Sequence, residues 1–150
     1  MDDLDRRILA ELQRDGRISL TELAERVQLS ASPCHRRLRA LEAAGIITGY
    51  RAEIDAHAVG LGFEALVFVT MNSSDAVVLA DFEAAVLRLP NVLQAERLFG
   101  EPDYLLRIVS RDLAAFQALY DTRLGELPGV QRLTSTLVMK HVATDRPLPV

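Results

Sequence analysis

The spacing of apolar residues changes character partway along the chain. Leu4, Ile8 and Leu12 recur at helical intervals until Arg14-Asp15-Gly16, where Gly16 is expected to take the left-handed conformation that closes a helix. In "ISLTELAERV", Ser19 and Glu22 have the spacing of a capping box, Ile18 and Leu23 that of a hydrophobic staple, and Leu20, Leu23, Ala24 and Val27 form the buried stripe. Only "QLS" separates this second helix from a third, which is expected to start at the cap Ser30, to hold Pro33 in its first turn and to stop at Gly45. Two short helices joined this tightly predict a helix-turn-helix.

From residue 46 the pattern turns to alternation, with Tyr50, Ala52 and Ile54 on one side of an expected strand, and Gly60 and Gly62 mark the entry to a second domain. Beyond it, "FEALVFVTMN", "NVLQAERLFG", "PDYLLRIVS" and "GVQRLTSTLVMKHV" read as strands, while "SDAVVLADFEAAVLRLP" and "DLAAFQALYDTRLGELP" read as helices. The order is βαββαβ. A weak internal repeat supports it: each helix ends in Leu-Pro, at Leu89-Pro90 and Leu127-Pro128, with Val92 and Val130 at the same offset. The expected fold is α+β, a winged-type helix-turn-helix domain over 1–46, a strand-like linker over 47–61, a ferredoxin-like domain over 62–143 and a tail over 144–150.

A four-stranded sheet with both helices on one face leaves the other face open. Strand one carries Phe63, Ala65, Val67, Val69 and Met71 on one side but Leu66 and Phe68 on the other, and strand three sets Tyr104, Leu106 and Ile108 against Leu105 and Val109. A second copy of the chain is the expected cover for so much apolar surface.

The formal charge is -4, which taken alone argues against nucleic acid. Its distribution reverses that reading. Residues 26 to 51 hold Arg26, Arg36, Arg37, Arg39 and Arg51 against Glu42 alone, a local +4 that leaves -8 on the rest. On the third helix, 100° steps put Cys34, Leu38 and Leu41 on one side and Ser32, Arg36, Arg39 and Ala43 opposite, with His35 at the flank. Small and basic side chains near the start of a helix suit entry into the major groove, where arginine bonds guanine O6 and N7, and Ser30, Ser32 or His35 can reach a base edge or a phosphate. Arg37, nearer the apolar edge, is expected to reach a phosphate or to pair with a neighbouring acid. The alternative is a solvated surface helix, with Arg39 beside Glu42.

Cys34 lies on the apolar stripe and reads as a small core residue, its lack of companions agreeing with a reducing, cytoplasmic setting. No apolar run approaches the roughly 18 to 20 residues that span a bilayer. His35, His57 and His141 occupy separate contexts, and neither metal-ligand spacing, nor a phosphate-binding glycine loop, nor a nucleophile elbow is present. No enzyme, cofactor or metal site is therefore expected.

The run "LSASPCHRRLRALEAAGIITGYRAEID", the loop "GEPDYLL" and "LPGV" before the last strand resemble the Lrp/AsnC family of leucine-responsive, or feast/famine, transcription regulators, over nearly the whole chain. The resemblance implies a homodimer through the C-terminal sheets, assembled further into a tetramer or octamer, that binds promoter DNA and responds to a small effector, commonly an amino acid. It places the effector beside "GEPDY" and the last strand. Carried over by position, Gly100 lets backbone approach the ligand, Asp103 accepts from its ammonium group, Tyr104 is adjacent, and Thr134, Thr136 and Leu137 form the opposing wall. The chain departs from the family pattern at Glu101-Pro102. The rival reading is a DNA-coating, nucleoid-type protein with little sequence preference and no effector, whose binding falls with salt alike on every duplex.

Overall fold

The computed structural model describes residues 1–150, which divide into two compact units. Met1–Glu53 and Val142–Val150 form the first and Ile54–His141 the second, so the division falls inside the expected linker and the tail belongs with the first unit.

In the first unit, α1 (Asp3–Arg14), α2 (Leu20–Arg26) and α3 (Ala31–Ala43) enclose a core of Ile8, Leu9, Leu23, Ala24, Val27, Cys34 and Leu41. The helix ends depart from expectation in three places, each for a local reason, and one cap stands where none was marked. A complete capping box stands at the start of α1, where Asp2 accepts from the Asp5 amide and Asp5 from the Asp2 amide, both at 3.0 Å. At α2 only half a box forms: Ser19 accepts from the Glu22 amide, but the Glu22 carboxylate turns to Arg26 at 2.6 Å. Ser30 occupies the N-cap of α3 without a side-chain bond, and Pro33 at the third helical position has no amide hydrogen to offer it. Gly16 does not take the left-handed conformation; Asp15 turns the chain by accepting from the Arg17 amide at 2.8 Å. Gly45, at φ +68°, does close α3 as expected.

The α2–α3 turn has no glycine. Gln28 takes φ +59° there, and the Leu29 amide donates back to Ala24 at 2.8 Å. Residues 46–55 form no strand, contrary to the alternation, because no other strand of the chain pairs with them; Asp55 instead opens a turn by accepting from the His57 amide.

The second unit has the βαββαβ order. Strands β1 (Phe63–Met71), β2 (Val92–Arg97), β3 (Tyr104–Ser110) and β4 (Val130–Leu137) alternate with α4 (Ala76–Val86) and α5 (Leu113–Leu119) and form one antiparallel sheet in the order β2-β3-β1-β4. After α5 the chain widens into a π turn over Tyr120–Leu124. Asp75 and Asp112 cap the two helices. The repeated Leu-Pro motifs match in three dimensions, since Leu89 and Leu127 are both buried and Val92 and Val130 both open strands.

Ala65, Val67, Val69, Met71, Tyr104, Leu106 and Ile108 pack against Leu79, Phe82, Val86 and Phe116 of the helices, and the Phe82 and Tyr104 rings lie 4.6 Å apart. Leu66, Phe68 and Leu105 occupy the opposite face, half-buried. Val109, expected with them on an open surface, is buried. That face also carries a polar network: Glu64 holds Arg107 and lies 2.8 Å from His141, while Arg107 donates to Gln94 at 3.0 Å.

Candidate nucleic-acid interface and effector site

The α2–α3 pair presents Ser30, Ser32, His35, Arg36 and Arg39 at an exposed surface, with Cys34 and Leu41 buried behind them. Burial pushes the Cys34 thiol up, which suits a core side chain and not a thiolate nucleophile. The three arginines of α3 differ in engagement. Arg37 donates to Asp2 and Asp5, each at 2.8 Å, and so ties α3 to the capped end of α1; of the two alternatives for it, the structure has the acid pair. These bonds raise the Arg37 pKa, and the Asp5 amide followed by Arg37 lowers that of Asp2. Arg39 donates to Glu42 at 3.1 Å across one helical turn, beside His35 at 3.4 Å. An ion pair this exposed contributes only about 0.3 to 0.5 kcal/mol, so a phosphate or a base can displace it. Arg36 makes no ion pair within the chain.

Local charge counting overstated the basic island. Arg26 pairs with Glu11 at 3.0 Å and with Glu22, and Arg37 with Asp2 and Asp5, so acids distant in sequence neutralise part of it. Glu42 is itself shared, since Tyr50 donates to its second oxygen at 3.1 Å. Burial first, then this bond, pushes the Tyr50 hydroxyl up.

At the second unit, the loop 98–103 is held by its ends. The Leu98 amide donates to the Asp103 carbonyl at 2.7 Å, the Asp103 amide to Val69 at 2.9 Å, and the Met71 amide to Asp103 Oδ2 at 2.7 Å. One carboxylate oxygen is therefore committed to the end of β1, while Oδ1 makes no bond within the chain. Gly100 is required by its φ of +127°; a Cβ there would meet nothing within 4 Å, so its role is conformational.

Two expected effector residues lie elsewhere. Tyr104 is buried in the core with its hydroxyl donating to Glu83 at 2.7 Å, and burial with that carboxylate pushes its pKa up to about 12. Leu137 pairs with Ala65 and so shares the helix-covered side of the sheet, whereas Thr134 and Thr136, opposite Phe68 and Leu66, lie on the other. Beside the loop is a cleft of about 400 Å³ lined by Thr70, Glu101, Gln131 and Arg132. Glu101 belongs to the loop the motif marked, though it was not singled out as a contact; Thr70, Gln131 and Arg132 were missed, because they meet through the β1–β4 pairing that sets Thr70 opposite Arg132. No group of three or more His, Cys, Asp or Glu side chains gathers in a metal-holding arrangement, and no helix is long and apolar enough to cross a membrane.

The chain matches two family descriptions, "Winged helix-turn-helix DNA-binding" over residues 1–48 and "Lrp/AsnC ligand binding domain" over 64–148. The chain belongs to the Lrp/AsnC family. This is a family of DNA-binding transcriptional regulators. A leucine-responsive regulatory protein of Salmonella typhimurium is 38% identical over 150 residues, covering 100% of this chain and 92% of the relative. The DNA-binding transcriptional activator DecR of Escherichia coli is 35% identical, with 100% and 99% covered. Among solved structures, a Neisseria meningitidis transcriptional regulator in complex with L-Met superposes with a TM-score of 0.94 at 40% identity, covering 99% of this chain and 96% of that one. An AsnC family regulator of Agrobacterium tumefaciens gives 0.93 at 33%, with 99% and 97% covered.

Proposed function

We propose that this Lrp/AsnC regulator reads DNA by laying α3 in the major groove, as one of a two-fold related pair, and that a free amino acid modulates this binding. The observation that carries the DNA reading is Arg36, which is exposed and unpaired on a helix whose other two arginines are held by acids. Arg36 then makes the direct base contact, Arg39 joins it by exchanging Glu42 for DNA, and Ser30, Ser32 and His35 contact phosphates or base edges. Arg37 acts through position, by holding α3 on α1.

A zwitterion needs an anion for its ammonium group and a cation for its carboxylate. Glu101 and the free oxygen of Asp103 supply the first, Arg132 the second, with Gly100 shaping the loop and Thr70, Thr134 and Thr136 offering hydroxyls. The L-Met complex of the Neisseria regulator supports an amino acid in this role. A homodimer joined through the sheet face bearing Leu66, Phe68 and Leu105, assembling further to a tetramer or octamer in the cytoplasm, completes the proposal.

Two measurements test it. In gel-shift titrations, Arg36→Ala weakens binding to a selected pseudo-palindromic duplex more than to random duplex; equal loss on both would favour a coating protein. In a thermal-shift screen against the amino acids, at least one raises the melting midpoint, whereas none doing so would remove the effector assignment.

A further inference from the structure

The last residues, "DRPLPV", occupy a defined place. Gln13 of α1 reads both polar backbone groups of Leu148: its Nε2 donates to the Leu148 carbonyl at 3.2 Å and its Oε1 accepts from the Leu148 amide at 2.6 Å. Pro147 and Pro149 on either side lack amide hydrogens, so Leu148 carries the one donor in that tripeptide, and Gln13 takes it. The two prolines also restrict the unbound peptide, which lowers the entropy lost on docking. Val150 folds back, its amide donating to Leu148 at 2.9 Å. Both Leu148 and Val150 line a groove of about 880 Å³ whose other walls include Leu9, Leu12, Ile46, Ile47 and Tyr50. The Leu148 side chain remains mostly exposed, so recognition is through its backbone, with the half-covered Val150 as the apolar contact.

We propose that this groove on α1 and residues 46–53 is a receptor for the chain's own C-terminal peptide, Pro147 to Val150, with Gln13 as its reader. Residues 147–150 are thereby a docked segment, not a free one, in a chain that passes between the two units at Glu53–Ile54 and again at His141–Val142. The groove also touches the recognition helix: Tyr50 in its wall donates to Glu42, the acid that holds Arg39. The docking is independent of the DNA reading.

The test uses the ¹⁵N-labelled full chain, a chain ending at Asp145, and Gln13→Ala. Docking predicts that Leu148 exchanges its amide several-fold more slowly in the full chain than in the synthetic peptide Asp-Arg-Pro-Leu-Pro-Val. It also predicts that the Gln13 side-chain amide resonances move when the tail is removed and return on adding that peptide in excess. Gln13→Ala should restore fast exchange at Leu148 while the Ile8 and Leu9 amides stay protected, which separates lost docking from lost folding. Exchange of Leu148 at the free-peptide rate in the full chain, or Gln13 resonances indifferent to the tail, overturns the proposal.

Discussion

Replacing Asp103 separates its one bond from its one free acceptor, because its two carboxylate oxygens are differently engaged. Oδ2 accepts from the Met71 amide at 2.7 Å, at the point where β1 ends, and Oδ1 is free. Asp103→Ala leaves the part-buried Met71 amide without its acceptor, a loss of about 1 to 3 kcal/mol. In a unit the size of Ile54–His141 that lowers the melting midpoint by roughly 5 to 15 °C. The alanine variant therefore confounds folding with ligand binding. Asp103→Asn does not: its amide oxygen can still accept from Met71, which turns the NH₂ toward the position of Oδ1 and presents a donor where the proposed ammonium contact needs an acceptor. Losing one charge-assisted bond of about 1.5 to 3 kcal/mol weakens the amino acid roughly 10- to 150-fold. Calorimetric melting and ligand titration of both variants check this. An unchanged ligand affinity in Asp103→Asn would falsify the ammonium role, and an alanine variant that melts like the parent would remove the Met71 bond from the account.

Other consequences follow from single contacts. Tyr104 has a folded pKa of about 12 against an ordinary value near 10, so its stabilising contribution, about 2 to 3 kcal/mol, is intact below pH 10 and is lost as pH rises toward 12. Tyr104→Phe should flatten that alkaline loss, as read by melting between pH 9 and 12. Gly129→Ala combines a left-handed φ of +72° with collision against Val78 Cγ1 and Met71 Cε, and should cost about 2 kcal/mol or more in urea unfolding. Arg37→Ala should lower the thermal midpoint of the first unit and weaken all duplexes alike, since it detaches α3 from Asp2 and Asp5. The depressed pKa of Asp2, owed first to the Asp5 amide and then to Arg37, makes its contribution present above about pH 3.8 and lost as pH falls through the lower folded value; Arg37→Ala, which keeps the Asp5 bond, should therefore blunt acid unfolding of this unit only in part.

What the sequence made legible is what depends on period and near neighbours. The alternation in β1 fixed which face Val67 and Val69 bury, and the stripe Cys34, Leu38 and Leu41 fixed how α3 turns, because burial imposes one side of a strand or helix on every residue it includes. Competition for the same group was not legible. Glu22 fits a capping box on spacing alone, yet it pairs with Arg26, and Ser30 fits a cap until Pro33 removes its donor.

The candidate site was divided along the same line. The motif marked Gly100 and Asp103 by position in the loop, but Asp103's bonds to β1, the meeting of Thr70 and Arg132 through the β1–β4 register, and the reach of Gln13 to Leu148 across 135 positions depend on the folded chain. Tyr104 shows the limit most plainly. Next to Asp103 in sequence, it begins a strand, and the reversal of side-chain direction from one strand residue to the next carries it into the core while its neighbour's carboxylate stays near the loop. Adjacency in a motif therefore predicts a shared role only where the backbone does not alternate. By that criterion Glu101, in the loop and on the cleft, is a stronger candidate for an effector contact than Tyr104 at the edge of "GEPDY".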